Sequence, residues 1–347
     1  MSDLLLSNRV LAIVGPTATG KSGLALHLAE EICRQDKAAG ATIISADSRQ
    51  VYQGMEICTG ADIPDTWETT TQFASSGYRH PEFPIFLCGI AAISPLQEWS
   101  VTYFRQYALP VIAESLSQGH VVLLVGGTGM YHEHLFSTDA SLDVPPNPEL
   151  RKAAALLTLE QLQAEVQSQT IEGWQQMNES DRQNPRRLIR ALEKAEQKEP
   201  LSSAQLPFSL ATITHITVGL RDTPERLSER ITSRVQARFQ AGVVAEVEKL
   251  IATYDEVSWK LPAFSSTGCK EVRMYLDEKI TIEELKELWH RRELQYAKRQ
   301  LTWWKAHPYA TSVEGFAAKT KQWIELSTVD PQDWQTGIIQ SCILGLC

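Results

Sequence analysis

Short unbroken apolar runs alternate with stretches of helical periodicity along the first part of the chain. Val10-Leu11-Ala12-Ile13-Val14 has the length and composition of a strand buried on both faces, and Leu24, Leu26, Leu28 and Ile32 follow on a predicted helix. Ala41-Thr42-Ile43-Ile44 and His120 to Val125 repeat the buried-strand pattern. Between them, Ser100 to Gln118 reads as helix, with Pro110 expected to kink or split it. Residues 62–99 contain Pro64, Pro81, Pro84 and Pro95 and little periodicity, which predicts mostly loop and one short strand near Ile85 to Leu87.

Asp139 to Pro148 is turn-rich, and 149–169 and 184–198 are helical in composition, so an all-helical segment interrupts the alternation. Ala211 to Val218 is a β-branched run expected to rejoin the sheet, and a helix begins at Thr223-Pro224-Glu225. The last helix opens on Thr281-Ile282-Glu283-Glu284, a capping-box pattern, and runs to about Ala306, before Pro308. Tyr309 to Cys347 carries no interpretable motif, and no internal repeat is visible. The expected fold is α/β: a parallel sheet core of the P-loop NTPase type, in parts 1–138 and 208–310, with a helical insertion domain at 139–207 and a tail at 311–347 of no assigned role.

With 347 residues and 43% hydrophobic content, the chain can bury a full core. A formal net charge of −9 argues against coating of nucleic acid by the surface as a whole and leaves room for local basic sites. Cys33, Cys58, Cys88, Cys269, Cys342 and Cys347 form no C-x-x-C pair and no metal-ligand spacing with histidine, which reads as reduced cytosolic thiols. Met1 to Ser7 has no basic segment and too short an apolar run for a signal peptide, and no stretch approaches a membrane span. A cytoplasmic, membrane-free monomer is the expectation.

Gly15-Pro16-Thr17-Ala18-Thr19-Gly20-Lys21-Ser22 fits G-x-x-x-x-G-K-S/T. Backbone N–H groups of such a loop wrap a di- or triphosphate, its lysine neutralises phosphate oxygens, and its hydroxyl faces Mg2+. The second strand delivers Ser45-Ala46-Asp47-Ser48-Arg49-Gln50-Val51-Tyr52 at the sheet edge where open α/β folds bind ligands. There Asp47 can reach Mg2+ through water, act as a general base, or cap the next helix. The third strand runs into Gly126-Gly127-Thr128-Gly129-Met130-Tyr131, glycine where a nucleotide hydrolase usually carries a metal-holding aspartate. These glycines either let backbone approach a ligand, with Thr128 hydrogen-bonding it, or form a tight turn.

Three groups of cations stand out. Asn184 and Pro185 suit N-cap and first-turn positions, which puts Arg186, Arg187 and Arg190 near a helix N-terminus, as phosphate-backbone contacts or as a solvated face. Arg226, Arg230, Arg234 and Arg238 recur every four residues, either neutralised by Glu225 and Glu229 on an exposed face or pointed at the phosphate loop. His290 to Lys305 is basic and aromatic, suited to phosphates and to stacking on unpaired bases, with one of Trp303 and Trp304 expected in the core.

G-P-T-A-T-G-K-S at 15–22, D-S-R-Q-V-Y at 47–52, G-G-T-G-M-Y at 126–131, N-P-R-R-L-I-R-A-L-E at 184–193 and A-K-R-Q-L-T-W at 297–303 together resemble the bacterial tRNA dimethylallyltransferases, or tRNA isopentenyltransferases. The resemblance extends from about Val10 to Lys305. It implies transfer of a dimethylallyl group from dimethylallyl diphosphate to the exocyclic amine of the adenosine just 3′ of the anticodon, with diphosphate leaving, Mg2+ as the ion and Ser22 facing it. It also implies that the loop grips the diphosphate, that Asp47 accepts the amine proton and that Thr128 helps place the substrates. Arg230 and Arg234, in the family's R-I-x-x-R pattern, are implied for diphosphate oxygens.

For the tRNA anticodon stem–loop the resemblance implies contacts from Asp47, Ser48, Arg49, Gln50, Thr128 and Arg151, and from Arg186, Arg187, Leu188, Ile189 and Arg190. It adds Ser265, Ser266, Thr267, Gly268, Cys269 and Lys270, and Lys298, Arg299, Gln300, Leu301, Thr302, Trp303, Trp304 and Lys305. The target base would be splayed out to reach the phosphate site. Gly268-Cys269-Lys270 departs from the family's usual G-Y-K/R, Asp181-Arg182-Gln183 departs from the common H-x-N-D-P form, and Glu82 to Phe86 lacks the paired histidines of many members. Nothing corresponds to the zinc finger of eukaryotic relatives. The competing readings are an adenylate isopentenyltransferase acting on free AMP, ADP or ATP, a P-loop small-molecule kinase, and a noncatalytic RNA-binding module.

Overall fold

The computed structural model describes residues 8–196 and 205–328. The readings made on Met1 to Ser7, on 197–198, and on 329–347 with Cys342 and Cys347 fall outside the described residues. The strands are β1 (Arg9–Val14), β2 (Gly40–Ser45), β3 (Glu68–Gln72), β4 (Ser75–Arg79), β5 (Ile85–Cys88), β6 (His120–Val125), β7 (Thr214–Arg221) and β8 (Ala318–Glu325). They form one eight-stranded sheet in the order β3-β4-β5-β2-β6-β1-β7-β8. From β5 to β8 every neighbouring pair is parallel, and β4 runs antiparallel to both of its neighbours.

The helices begin with α1 (Lys21–Arg34), α2 (Glu56–Thr59), α3 (Val101–Ser117) and α4 (Gly129–Leu135). Next come α5 (Pro148–Ala154), α6 (Leu159–Gln169), α7 (Ile171–Gln176), α8 (Glu179–Arg182) and α9 (Pro185–Ala195). The chain then forms α10 (Pro224–Gln240), α11 (Val243–Thr253), α12 (Cys269–Leu276) and α13 (Ile282–Ala306). It divides into two compact units, Met1–Phe136 with Pro207–Cys347, and Ser137–Leu206.

Alternate residues of the central strands feed opposite layers of the larger unit. Leu11, Ile13, Ile43, Leu123 and Val218 pack with Leu24, Leu28 and Ile32 of α1. Val10, Ile44, Val122 and Leu124 pack with Phe104, Val111 and Leu135 in a second cluster. Burial on both faces is why these strands read as continuous apolar runs. Val10 to Val14 are each at most 1% exposed, and a large side chain so buried contributes about 1.5–3 kcal/mol.

In the smaller unit Ala154, Leu162, Val166, Leu188 and Leu192 form the core. Glu193 is buried there and accepts from Arg151 Nε at 2.7 Å, Arg190 Nη1 at 3.0 Å and the Asn147 N–H at 3.0 Å. Burial pushes its carboxyl up, but the bonds from Arg190, Asn147 and Arg151 outweigh it and hold the group below the usual range. Asn184 caps α9 by accepting the Arg186 N–H, with Pro185 in the first turn.

Several expectations are corrected. α3 runs unbroken through Pro110; the proline costs about 3 kcal/mol in a helix interior, and the burial of Phe104, Ala108, Val111 and Ile112 around it offsets that. Residues 62–99 hold a hairpin: β3 and β4 join through Phe73 and Ala74, at φ of 50° and 55°. Such two-residue turns are usually signalled by asparagine and glycine. Here Phe73 is held by packing instead, edge-on to Phe86 at 5.6 Å and to His120 at 5.0 Å. The segment from Ala211 enters the sheet only at Thr214, after a short 3-10 turn at Leu210–Thr212. The tail supplies β8, which pairs with β7 over its full length, from Ala318 opposite Thr214 to Glu325 opposite Arg221. Its sequence A-K-T-K-Q-W-I-E carries the lysines that keep an edge strand from further pairing.

Candidate active site

The loops after β1, β2 and β6, three neighbouring strands, open onto one cleft of about 730 Å3. The loop after β1 ends at Gly20, which takes a left-handed φ of 84° as the N-cap of α1. Within it Thr19 Oγ1 donates to the Pro16 carbonyl at 2.9 Å, and Lys21 Nζ to the same oxygen at 2.7 Å. Burial, then the nearby Arg234 guanidinium, pull the Lys21 ammonium down to about 8, against the opposing pull of Asp47 and Glu293. The loop and the first turn of α1 therefore present N–H groups and a lysine toward the cleft, the arrangement that binds phosphates.

Two distant elements clamp Thr17. Its N–H donates to Gln300 Oε1 at 2.7 Å from α13, and its Oγ1 accepts from Arg234 Nη1 at 2.8 Å from α10. Gln300 reaches the loop because residue 127 is glycine: a Cβ there would lie 2.0 Å from Gln300 Nε2. Arg234 also donates to the Gly60 carbonyl at 3.2 Å, and a Cβ on Gly60 would lie 2.3 Å from its Nη2.

Asp47 follows β2 and lines the cleft. Its Oδ1 accepts the Arg49 N–H at 2.8 Å, closing a local turn, and the next helix starts only at Glu56 with Met55 as its N-cap. The helix-capping alternative is thereby excluded. Thr128, at the N-cap of α4, accepts the Ser48 N–H at 3.2 Å on Oγ1 and lies beside the Tyr296 hydroxyl. Asp47, Thr128 and Tyr296 thus meet where the β2 and β6 loops touch α13.

The four-residue arginine stripe of α10 is paired, but by carboxylates other than Glu225 and Glu229. Buried Asp222 takes Arg226 Nε at 3.2 Å and Arg230 Nε at 3.4 Å, and Glu293 takes Arg238 Nη1 at 3.0 Å. Arg230 and Arg234 line the cleft together with Lys21. These pairings come from the residue before the α10 N-cap and from α13, so the stripe is a braced wall of the cleft.

The residues assigned to RNA separate by burial. Lys298, Arg299, Thr302 and Lys305 are exposed on α13, Leu301 and Trp303 are half-buried, and Trp303 is stacked on His307 at 4.3 Å. Trp304, 3% exposed, packs on Ala12 and Val14 and is the core tryptophan. Gln300 is buried as the brace of Thr17. Ser265, Ser266 and Thr267 border the cleft, Lys270 is exposed, and Cys269 and Gly268 are interior, with the Gly268 N–H donating to Glu271 at 2.7 Å. Arg49 donates to the Pro262 carbonyl, and Gln50 bonds Ser45 and Gly60. In the smaller unit Leu188 is core, Ile189 is half-buried, Arg186 and Arg187 are exposed, and Arg187 pairs with Asp181. The side chains of Leu188, Cys269 and Trp304 are thus engaged in packing, whereas Ser266 and Gln300, although buried, still line the cleft.

Tyr296, Asp222 and Glu293 carry structural weight that the sequence reading did not assign them. So does Glu246, which accepts the Ile57 and Cys58 N–H groups at 2.7 and 2.8 Å and so caps α2 beside the cleft. Burial keeps its carboxyl above the usual range. Four-residue spacing exposed the cations; their acidic partners are isolated in sequence. Among the described residues no helix is long and apolar enough to cross a membrane.

The fold and cleft define a phosphate-loop α/β enzyme in which a wall of arginines, rather than a metal-holding aspartate after β6, faces the loop. A family model described as IPP transferase matches residues 50–307. Over 88% of its length the chain is 34% identical to the tRNA dimethylallyltransferase of Moorella thermoacetica, of which it covers 89%. It is 33% identical to the tRNA dimethylallyltransferase of a Picosynechococcus species over 86% of this chain and 91% of that one. The crystal structure of the tRNA isopentenylpyrophosphate transferase from Bacillus halodurans matches with a TM-score of 0.58 at 27% identity, over 97% of this chain and 96% of that one. A eukaryotic dimethylallyltransferase acting on tRNA shares the fold, with a TM-score of 0.69 at 19% identity over 98% of this chain and 79% of that one. The chain belongs to the IPP transferase family.

Proposed function

We propose that this enzyme transfers the dimethylallyl group of dimethylallyl diphosphate to the exocyclic amine of the adenosine 3′ of the anticodon in tRNA, releasing diphosphate. One observation carries the reading: the phosphate loop, Asp47, and Arg230 with Arg234 all line a single cleft. In the reaction the allylic carbon–oxygen bond breaks, a carbon–nitrogen bond forms, and the amine loses one proton. Lys21, the loop N–H groups and the two arginines stabilise the charge that grows on the departing diphosphate. Asp47 accepts the proton as attack proceeds, and Thr128, bonded to the Ser48 N–H, helps hold the acceptor in line.

Mg2+ is the proposed ion. Among the described residues no group of three His, Cys, Asp or Glu side chains is assembled to hold a metal, which suits an ion that keeps much of its water and is shared with substrate phosphates. Ser22, exposed at the start of α1, and Asp47 through water would hold it, and it would supply further neutralisation of the leaving group. Lys298, Arg299, Trp303 and Lys305 in one unit, and Arg151, Arg186, Arg187 and Arg190 in the other, are proposed for the anticodon stem–loop. A cytoplasmic monomer completes the proposal.

The test offers radiolabelled dimethylallyl diphosphate with Mg2+ to an anticodon stem–loop carrying adenosine after the anticodon, and in parallel to free AMP. Label in the stem–loop is the expected result. Label in AMP alone moves the protein to the free-nucleotide class, and label in neither refutes the prenyl-transfer reading.

A further inference from the structure

A second recess, of about 500 Å3, opens beside the cleft and shares Ser22, Gly23, Gln50, Asp62 and Val125 with it. Its walls differ in kind from those of the cleft: Leu26 of α1, Ile43 of β2, Leu87 of β5, Ile63, Trp67 and Ile90. Gln50 stands with Asp62 at the polar lip between the two spaces. It is fixed there, because its Oε1 accepts from Ser45 Oγ at 2.9 Å and its Nε2 donates to the Gly60 carbonyl at 2.7 Å. The side chain is thus held by its own bonds and does not fold inward to fill the recess.

An apolar recess that starts at the first turn of a phosphate-binding helix suits an amphiphile with its charged head on the loop and its hydrocarbon along the wall. We propose that the recess seats the isoprenoid tail of the allylic diphosphate donor and that its depth admits tails longer than five carbons. This rests on the prenyl-transfer reading. The recess falls in the range of roughly 300–1,000 Å3 that holds drug-sized ligands, which is more than a dimethylallyl group fills. Each further methylene taken out of water is worth roughly a fourfold gain in affinity.

Geranyl diphosphate, the ten-carbon allylic homologue, is the probe, and inorganic diphosphate is the reference. Each is tested on the full chain with Mg2+ as an inhibitor of dimethylallyl transfer to the stem–loop, and by direct titration. Geranyl diphosphate is expected to compete with the donor and to bind at least about tenfold more tightly than inorganic diphosphate. Ile90→Trp, in the wall, and Leu26→Trp, on partly exposed α1, are expected to remove that advantage while leaving the affinity for inorganic diphosphate unchanged. Thermal melting checks that each variant folds, and Leu26→Trp serves if Ile90→Trp does not fold. Equal binding of the two probes by the wild-type protein overturns the recess assignment, as does undiminished discrimination in a folded variant; dimethylallyl transfer then still supports the wider reading. No dimethylallyl transfer, with geranyl diphosphate still bound preferentially, refutes the transfer reading and leaves the recess as an isoprenoid site.

Discussion

Replacing Gln300 with methionine tests the brace between α13 and the phosphate loop. Methionine is similarly long and unbranched, so it fills the space beside Gly127, but it offers the Thr17 N–H no comparable acceptor. That bond is 2.7 Å long and buried. A buried donor left without a partner costs about 1–3 kcal/mol, and the loop can relieve the cost only by moving its N–H groups out of register. The expected result of Gln300→Met is a lowered melting temperature together with diphosphate affinity reduced by roughly 5- to 150-fold, the same energy range read as a binding constant. Gln300→Glu keeps an acceptor at the same reach and is expected to recover part of the affinity. Titration of inorganic diphosphate into each folded variant reads the effect apart from RNA. Wild-type melting and wild-type diphosphate affinity in Gln300→Met would refute the reasoning, since the bond would then carry no weight in either property.

Asp47→Ala is expected to lower turnover by roughly 10²- to 10⁴-fold, the range for a positioned proton acceptor, with the fold intact; near-normal single-turnover rates would remove Asp47 from the chemistry. Lys21, whose ammonium burial and Arg234 pull down to about 8, predicts that diphosphate affinity falls as pH rises above about 8, by at most about tenfold per pH unit. The same depressed value means that the unfolded chain binds the extra proton between about 8 and 10.5, so this group's penalty on folding is full below 8 and is relieved as pH rises through that window. Urea midpoints of wild type and Lys21→Met across that range check the sign. Trp304→Ala is expected to destabilise the larger unit by about 3–5 kcal/mol as a core truncation, whereas Lys305→Ala leaves melting unchanged and weakens stem–loop binding at low salt.

The phosphate loop, Asp47 and Thr128 are legible in sequence because each lies in a contiguous motif just past a buried strand, and strand ends gather ligands in open parallel sheets. What sequence hides is pairing at a distance. Gln300 meets Thr17 across 283 positions and Glu293 meets Arg238 across 55, and neither an isolated glutamine nor an isolated glutamate announces a partner. The Phe73-Ala74 turn escapes because packing, not turn chemistry, holds it. β8 escapes because an edge strand is polar by design, so the pattern that reveals β1 and β6 is absent from it. Trp304 and Lys305 are adjacent, and only the helix phase against β1 sends one inward and the other to solvent.

The position of β8 also governs how the chain reaches its fold. β1, the first strand made, lies between β6 and β7, with Val10 opposite both Val122 and His215, so the strand that carries the phosphate loop waits for partners synthesised far later. β7 in turn has an open edge until Ala318–Glu325 arrives. A nascent or truncated chain that stops short of Ala318 carries that edge, T-H-I-T-V-G-L-R, as an uncovered template for pairing with other chains. The last strand among the described residues therefore shields that edge from pairing with other chains during synthesis.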